Sequence, residues 1–529
     1  MPRITIDGRE LEVSEGRTIL QALDDLGLLM NGIEIPHYCW HPKLSIDGSC
    51  RLCQVEIEGI PKLQIACNTP VKDGMVVHTA TERVRRTREG VMELLLVNHP
   101  LDCPICDQAG ECKLQDYAYD YGVPHSRSKE PRRAAKKRVE LGPHVVFDQE
   151  RCILCRRCTR FCREVSETGE LGVFHRGDRA AIETFPGSTL DNPYSMNVTD
   201  ICPVGALTTK DFRFKIRVWF LDEVHGVCTG CSNGCNIYLG VANNKVYRYV
   251  PRRNDSVNQT WICDAGRLSY KEIGGESRIK CASVRSDQGV LEVSTYAHAI
   301  SAASARLRRL VDSKGPGVIA AVASAHATNE DLYTLRRLLE ALGTESAGLA
   351  VPLGDHDALL VKAEKAANAA GARALGFGDA SALVDRIRGG GVDGLLVMGH
   401  DLLDPAYLGE PAALAHLDTV IVLDTHHSAM ERVAHVVLPV RHAAEKSGTL
   451  TNHEGRVQRV HPAVEPAWEA YADGEVLARL GASLGLEAFE QKWDVRAVSR
   501  ALAAAFPAFA GRDVAEVGDL GKPLAETGR

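Results

Sequence analysis

The sequence predicts a multidomain protein in which several small α+β domains precede one α/β domain. Its 529 residues are several times the length of a typical single domain, about 100–200 residues. All 17 cysteines lie between Cys39 and Cys281, and the remainder of the chain contains none. In that cysteine-free part, strand-like and helix-like stretches alternate, which indicates a parallel sheet with helices on both faces. Any metal chemistry is therefore expected in the first half of the chain.

Composition and charge exclude several functions. With 25% charged residues, 45% hydrophobic residues and a formal net charge of −7, the chain offers no electrostatic case for binding nucleic acid. The basic run at 126–138 is expected to be a solvated linker or a protein-docking face. No apolar run approaches the ~18 residues of a membrane span, so we expect no direct membrane insertion. The N-terminus lacks the layout of a signal peptide, so we expect a reducing compartment in which clustered cysteines bind metal.

Residues 1–78 are predicted to form a β-grasp domain of the ferredoxin type. Apolar and polar residues alternate at 3–7 and 10–13, which indicates a hairpin that turns at Asp7 and Gly8. Residues 17–29 have the pattern of a short helix. The spacing Cys-x10-Cys-x2-Cys-x13-Cys then differs from that of plant-type ferredoxins only in its first gap. A four-cysteine zinc site is the alternative. The predicted ligands of one [2Fe–2S] cluster are Cys39, Cys50, Cys53 and Cys67.

Residues 79–120 contain a second site, which includes a histidine. Residues 79–98 are charged and have apolar residues at helical spacing, which predicts a helix. This helix leads into a loop in which Pro100 and Pro104 prevent a regular helix. In Rieske centres, histidine in place of cysteine raises the potential of the cluster, so the loop is consistent with an iron–sulfur site. A structural zinc site is the alternative. The predicted ligands are His99, Cys103, Cys106 and Cys112.

Residues 140–220 carry the cysteine run of bacterial ferredoxins, Cys-x2-Cys-x2-Cys-x3-Cys, which ends at Cys162. A two-cluster ferredoxin would repeat this run, but here only a Cys-Pro end follows, so one [4Fe–4S] cluster is expected. Its predicted ligands are Cys152, Cys155, Cys158 and Cys202. Cys162 is left as a predicted buried thiol. Four neighbouring arginines could offset the negative charge of this cluster: Arg156, Arg157, Arg160 and Arg163.

Residues 221–277 contain a fourth set with the spacing Cys-x2-Cys-x3-Cys-x27-Cys and glycines between the ligands. This spacing matches a [4Fe–4S] loop, and two short strands are predicted between the third and fourth cysteines. Zinc ribbons also use paired cysteine motifs, so zinc remains the alternative. The predicted ligands are Cys228, Cys231, Cys235 and Cys263.

Residues 278–529 are predicted to form the α/β domain, with strands at 317–322, 394–398 and 420–425 and a helix at 329–342. The glycine run 389–391 precedes a strand, which is the wrong order for a dinucleotide fingerprint, and no P-loop is present. Nothing in this part indicates a catalytic nucleophile or an acid–base pair. We therefore predict no catalytic residues and no cofactor-binding residues beyond the cluster ligands.

In combination, these motifs resemble the large iron–sulfur subunit (G type) of NADH:quinone oxidoreductase, respiratory complex I. The resemblance implies that the His99 set is a His(Cys)3 motif that binds a [4Fe–4S] cluster. It also implies that the fourth set is the extra cluster of some bacterial members, similar to the [4Fe–4S] loop of molybdenum and tungsten bis-pterin oxidoreductases. Residues 434–439, 445–449 and 452–456 are similar to a recurring stretch of that pterin superfamily. The expected cofactors are thus one [2Fe–2S] and three [4Fe–4S] clusters.

The α/β domain departs from the pterin enzymes in two respects. It is only about 250 residues long, and it contains no cysteine that would ligate molybdenum. We therefore expect a degenerate molybdopterin-oxidoreductase-like scaffold without a molybdenum cofactor.

The resemblance implies an electron-transfer subunit without a substrate site of its own. Electrons would arrive from an NADH-oxidising flavoprotein subunit and leave, through other peripheral-arm subunits, toward quinone in a membrane-bound complex. The expected location is peripheral, on the cytoplasmic side of the inner (plasma) membrane. Two alternatives remain: an electron-transfer subunit of an NAD-linked formate dehydrogenase or hydrogenase, and a zinc-containing scaffold without redox activity.

Overall fold

The computed structural model describes residues 1–29 and 31–526. The chain divides into two units, Met1–Leu221 and Asp222–Arg529. The helices and strands of the first unit are β1 (Arg3–Ile6), β2 (Arg9–Glu12), α1 (Ile19–Asp25), β3 (Gln54–Ile57), β4 (Gln64–Ile65), β5 (Val76–His78), α2 (Glu82–Leu96), α3 (Lys113–Tyr121), β6 (Val139–Glu140), β7 (Val145–Phe147), α4 (Arg157–Glu164), β8 (Leu171–Phe174), β9 (Ala181–Thr184), α5 (Asn197–Asp200) and β10 (Leu207–Thr209).

A five-stranded sheet with the order β2-β1-β5-β3-β4 begins the first unit. The predicted hairpin is confirmed, because Asp7 and Gly8 have φ values of 46° and 79° between β1 and β2. Two positive φ values are what a type I′ turn requires. Strand β5 pairs in parallel with β1 and antiparallel with β3. Helix α1 begins at a capping box formed by Thr18 and Gln21.

Short helices and small sheets follow this domain within the first unit. Helix α2 is capped by the hydroxyl of Thr81 and ends just before the loop that contains His99. The helix predicted at 79–98 is therefore present. Beyond it, β10-β7-β6 form a three-stranded sheet and β8-β9 form a hairpin. Helix α4 lies between β7 and β8 in the chain and carries the last two cysteines of the ferredoxin run.

The second unit combines a large sheet with two small ones. Its helices and strands are β11 (Asp222–Val227), β12 (Asn236–Ala242), β13 (Lys245–Pro251), α6 (Asp264–Leu268), β14 (Ala282–Arg285), β15 (Leu291–Ser294), α7 (Tyr296–Lys314), β16 (Ile319–Ser324), α8 (Asn329–Leu342), β17 (Ala347–Ala350), α9 (Ala369–Ala374), α10 (Ser381–Arg388), β18 (Gly394–Met398), β19 (Thr419–Asp424), β20 (Val436–Pro439), β21 (Gly448–Thr451), β22 (Arg456–Val460), α11 (Asp473–Ser483), α12 (Val495–Ala505) and β23 (Lys522–Pro523).

The seven-stranded sheet has the order β15-β14-β20-β19-β18-β16-β17. Its five strands from β16 to β20 are parallel, which confirms the predicted parallel sheet. Alternate residues of the strands enter two different cores, for example Leu396 in one and Leu395 in the other. Helices therefore cover both faces, as expected for doubly wound sheets. The antiparallel strands β14 and β15 at one edge were not part of the prediction.

Two three-stranded sheets complete the second unit: β11-β12-β13 and β21-β22-β23. Strands β12 and β13 are the pair predicted between the third and fourth cysteines of the fourth set. Across residues 1–29 and 31–526, none of the helices combines the length and the apolar composition needed to span a bilayer.

Candidate metal centres

The first cysteine set lies in the loops around β3 and β4. Cys39 and Cys53 are each 1% exposed, and Cys67 is fully buried. Hydrogen bonds from the thiols of Cys50 and Cys67 lower the pKa of Cys39, and a hydrogen bond from Cys67 lowers the pKa of Cys53. The four side chains thus form one hydrogen-bonded set, with three members buried and Cys50 half-buried, in which two sulfurs favour the thiolate form.

Backbone groups also point at this first set. The N–H groups of Ser49 and Cys50 donate to the Cys39 sulfur and favour its thiolate. The N–H of Tyr38 donates to the Cys50 Sγ at 3.5 Å. Gly48 has φ 68° in this loop, and a Cβ there would lie 3.2 Å from a methyl carbon of Ile65. A glycine is therefore needed where the loop folds tightly around the sulfurs.

The second set surrounds a small cavity. Its lining includes all four predicted ligands, together with Arg151 and Gly205. Burial, with a smaller contribution from Arg151 and Arg132, lowers the pKa of His99 to about 4. The imidazole is therefore neutral at pH 7, which is the form that binds metal. The four predicted ligands that line this cavity are His99, Cys103, Cys106 and Cys112.

Gly205 limits the space at the second set. A Cβ at this position would lie 2.3 Å from the Cys106 Sγ and 3.0 Å from the Cβ of Gln108. Any side chain here would therefore displace a predicted ligand. Gly205 follows Cys202 by three residues, so the second and third sets are held close together by one short segment.

The third set lines a separate cavity. Two non-glycine residues between its ligands, Leu154 and Arg156, have left-handed φ values of 52° and 58°, which lets the Cys-x2-Cys spacing curl around one point. Burial raises the pKa of Cys202 to about 12. Such a thiol needs a metal or positive charge to become a thiolate at neutral pH. The ligands that line this cavity are Cys152, Cys155, Cys158 and Cys202, beside Arg156 and Arg157.

Cys162, the remaining cysteine of the ferredoxin run, is fully buried in helix α4. It is not part of the lining of the cavity that the other four cysteines form. Burial and the nearby Glu170 raise its pKa to about 12, so the group is a protonated thiol at neutral pH. This placement agrees with the prediction of a buried thiol.

The fourth set lies in the second unit, between β11 and β12 and at the start of α6. A Cβ on Gly266 would lie 3.0 Å from the Cys228 Sγ and 3.2 Å from the Cys263 Sγ. The side chain of Asn233 donates to the Cys235 Sγ at 3.1 Å. Burial, with smaller contributions from the neighbouring Cys235 and Cys263, raises the pKa of Cys228 well above its ordinary value. Cys231, the remaining member, is buried in the same loop.

A distant part of the chain supports the loop that carries the fourth cysteine set. The Asn452 side chain donates to the Asn233 carbonyl at 3.2 Å, and the Gln458 side chain donates to the Gly234 carbonyl at 2.9 Å. These contacts involve the segment at 452–456 and the strand that follows it. Part of the stretch that resembles pterin enzymes therefore holds the cysteine loop in this chain.

The neighbouring stretch at 445–449 forms buried ion pairs. Glu445 accepts two hydrogen bonds from Arg278, at 2.8 and 3.1 Å. The Lys446 ammonium lies 2.8 Å from a carboxylate oxygen of Asp331 and also contacts Asp473. Because buried charges are costly unless they are paired, this network fixes the relative position of α8 and α11.

The donor sets agree with the predicted chemistry. Cysteine sulfurs are the usual ligands of iron–sulfur clusters, and histidine replaces cysteine in some of them. A structural zinc ion accepts the same groups. Within the described part of the chain, no three His, Cys, Asp or Glu side chains are arranged to hold a single metal ion. The ligands of a cluster are divided among two or four iron atoms, so each set needs an enclosed space rather than one shared point.

Sequence reasoning did not identify the residues that connect the sites. Gly205 lies close to the second set although it follows a predicted ligand of the third set. Asn452 and Gln458 support the loop of the fourth set from more than 200 residues away in the sequence. The Cys-Pro-Val-Gly stretch was a local signal for Gly205. Asn452 lies in the stretch 452–456 that the resemblance singled out, whereas no local signal exists for Gln458.

Five family models match the chain and together describe a protein of iron–sulfur binding domains followed by a molybdopterin-oxidoreductase domain. They are the 2Fe-2S iron-sulfur cluster binding domain (residues 2–82), the NADH-ubiquinone oxidoreductase-G iron-sulfur binding region (88–127), the NADH-quinone oxidoreductase subunit 3 ferredoxin-like domain (142–208), the molybdopterin oxidoreductase Fe4S4 domain (221–274) and molybdopterin oxidoreductase (358–483).

The predicted resemblance to the large iron–sulfur subunit of NADH:quinone oxidoreductase is confirmed by curated relatives. The G subunit of the NADH-quinone oxidoreductase of Rickettsia felis is 40% identical over 346 residues, which are 65% of this chain and 50% of the relative. The mitochondrial NADH-ubiquinone oxidoreductase 78 kDa subunit of Candida albicans is 38% identical over 346 residues, 65% of this chain and 46% of that protein. The chain thus spans about half the length of the curated relatives it matches.

A further relative and one solved structure are also similar. The NADH-ubiquinone oxidoreductase 75 kDa subunit of Reclinomonas americana is 44% identical over 270 residues, 51% of this chain and 38% of that protein. The crystal structure of an NAD+-reducing [NiFe]-hydrogenase in the H2-reduced state is 30% identical, with a TM-score of 0.37. The match covers 41% of this chain and 91% of the hydrogenase chain.

Proposed function

We propose that the chain is a peripheral-arm iron–sulfur subunit of an NADH:quinone oxidoreductase. In this role it would receive electrons from an NADH-oxidising flavoprotein subunit and pass them toward quinone, without a substrate site of its own. The names of the curated relatives support this assembly over a formate dehydrogenase or hydrogenase.

One observation carries the proposal: the first three sets lie next to one another within the first unit. Arg160 of helix α4 donates hydrogen bonds to the carbonyls of Cys39 and Cys155, which belong to the first and third sets. Gly205, in the segment that follows Cys202, lies against Cys106 of the second set. Sites that lie close together in one unit are what an electron relay needs.

The clusters would supply one-electron chemistry, and the chain would fix their spacing and potentials. We propose one [2Fe–2S] cluster on Cys39, Cys50, Cys53 and Cys67 and [4Fe–4S] clusters on the other three sets. Backbone N–H groups at Cys39 and the arginines around the third set would favour the thiolate forms. His99 would give the second site its own potential.

The second unit would have a different role. Its cysteine loop is held by Asn452 and Gln458. The buried ion pairs of Lys446 join helices α8 and α11 in the part of the chain that resembles pterin enzymes. We propose that this unit carries the fourth cluster without a molybdenum cofactor and contributes mainly to stability. The complex as a whole would lie at the cytoplasmic side of the inner membrane, held there by partner subunits.

Metal analysis of the anaerobically purified protein, with EPR of the dithionite-reduced sample, tests the proposal. We expect about 14 irons per chain, from two in one binuclear and four in each of three tetranuclear clusters, and no molybdenum. About ten irons per chain would mean that one tetranuclear cluster is absent, and the fourth set would be the first to be examined. Zinc in place of iron would refute the electron-transfer function. Stoichiometric molybdenum would favour the formate dehydrogenase alternative.

A further inference from the structure

We propose that Arg157 and Arg160 of helix α4 are positioning residues shared by the first and third sites, and that their charges set the reduction potentials of both. This inference rests on the proposed function, because it requires that both sites hold redox-active clusters. It adds a specific pair of side chains that neither the cysteine spacing nor the similarity to known proteins assigns.

Arg160 connects backbone groups of both sites. Its Nη2 donates to the carbonyl of Cys39 and, at 3.4 Å, to the carbonyl of Cys155. Its Nη1 donates to the carbonyl of Ser45 in the loop that follows Cys39. The residue is only 4% exposed, so this guanidinium is a buried positive charge beside two predicted ligands.

Arg157 makes a second connection of the same kind. Its Nη2 donates to the carbonyl of Trp40 at 2.5 Å, and its Nη1 donates to the carbonyl of Ile201 at 3.2 Å. Trp40 follows Cys39, and Ile201 precedes Cys202, so each carbonyl belongs to the neighbour of a predicted ligand. The two arginines therefore reach the first site and both segments of the third.

The Nε–H of Arg157 is a hydrogen-bond donor that is not used. It is buried and has no hydrogen-bond partner within residues 1–29 and 31–526. Arg157 also lines the cavity formed by the four cysteines of the third set. Because an unsatisfied buried donor is costly, a negatively charged sulfur in that cavity is the partner this group fits.

The electrostatic consequence follows from burial. Reduction adds one negative charge at a site, and a fixed positive charge nearby favours that addition. Water does not screen these guanidinium groups as it screens exposed ones, so their effect on the potential is retained. Since the same two charges lie between both sites, removal of either one is expected to lower both midpoint potentials.

Redox titration monitored by EPR tests this inference on the full holoprotein. In Arg157→Gln, we expect the ratio of reduced to oxidised centre at a fixed potential to fall at least about tenfold at both sites. For a one-electron centre, this corresponds to a midpoint potential that is lower by about 59 mV. Arg157→Lys keeps the charge but not the fork of donors, so its midpoints should shift less than those of Arg157→Gln. Arg160→Gln should lower the same two midpoints.

Arg163→Gln is the matched control. Arg163 lies in the same helix, but its side chain is 68% exposed and pairs with Glu164, so its removal should leave both midpoints unchanged. Intact EPR signals with unchanged midpoints in Arg157→Gln would overturn the inference. So would a shift at only one site, or an equal shift in the Arg163→Gln control. If Arg157→Gln loses a signal, Arg160→Gln decides by the same criteria.

The failure of this inference is distinct from the failure of the proposed function. Wild-type protein without iron–sulfur EPR signals would refute the proposed function. Wild-type signals that remain at the same potentials in both arginine variants would refute only the shared role of Arg157 and Arg160. A purely structural role would alter stability or cluster content but would not lower two midpoints together in a protein that retains both clusters.

Discussion

At the scale of single residues, His99 is the predicted ligand whose chemistry differs most from the others. Its half-buried, neutral imidazole lies in the cavity that three cysteines also line. We expect His99→Cys to retain a cluster but to lower its midpoint potential, because histidine ligation raises the potential. EPR-monitored titration measures this, and His125→Cys, at an exposed position, is the control. An unchanged midpoint in His99→Cys would show that His99 is not a ligand.

Gly205 is the residue whose missing side chain matters most. In Gly205→Ala, the new methyl group would lie 2.3 Å from the Cys106 Sγ, so this ligand would be displaced. We expect the EPR signal of the second site to be lost or strongly reduced, while the first site keeps its signal. Gly90→Ala is the matched control, because nothing lies within 4 Å of its Cβ and alanine favours helix. A normal second-site signal in Gly205→Ala would contradict the prediction.

At the scale of elements, Lys446 joins two helices through the carboxylates of Asp331 in α8 and Asp473 in α11. Removal of the lysine leaves two buried carboxylates without their cation, which typically costs about 3–5 kcal/mol. We therefore expect Lys446→Met to lower the free energy of unfolding of the second unit by that amount in urea denaturation. The exposed Lys492→Met should change it by less than about 0.5 kcal/mol. Equal stability of both variants would contradict this prediction.

Sequence patterns predicted elements well where the signal was local. The Asp7-Gly8 turn, helices α2 and α8, and strand β18 lie where periodicity and turn residues placed them. The antiparallel strands β14 and β15 were missed, because a short edge strand has no distinctive pattern of its own. The Cys-x2-Cys spacings located the loops of the four sets, and the structure brings the members of the second set and of the third set together around one cavity each. Their role as cluster ligands stays a prediction.

Contacts between distant segments could not be predicted in the same way. Arg160 reaches the Cys39 carbonyl across 121 residues, and Gln458 reaches Gly234 across 224. Such contacts depend on how whole domains pack, and the sequence near either partner does not encode them. The arginines were expected to act on one cluster only, and their place beside two became visible in the folded chain.

At the scale of the whole molecule, acid is expected to destabilise the second unit. Burial, together with Arg278, His426, Lys446 and His326, lowers the pKa of His442 to about 3. The unfolded chain binds this proton near pH 6.5, so the stability that His442 contributes is complete above pH 6.5 and is lost as the pH falls toward 3. Between pH 6.5 and 5 the loss amounts to about 2 kcal/mol.

Calorimetry at pH 7.5 and pH 5 measures this loss. Asp424 acts in the opposite direction, because burial raises its pKa to about 6, so the wild-type profile combines both effects. We expect His442→Gln to lose less stability than the wild type between the two pH values. An identical pH dependence in the variant would show that His442 does not titrate as its surroundings predict.

The link between helix α4 and the loop after Cys39 also bears on biogenesis. Arg160 and Glu164 hold Ser45, and Arg157 holds Trp40, yet the helix is synthesised more than 100 residues after that loop. The first cysteine set is therefore braced only once the ribosome has released the third. If the first set holds its proposed cluster, we expect that cluster to reach its final surroundings late in synthesis, and not as soon as the N-terminal domain has been translated.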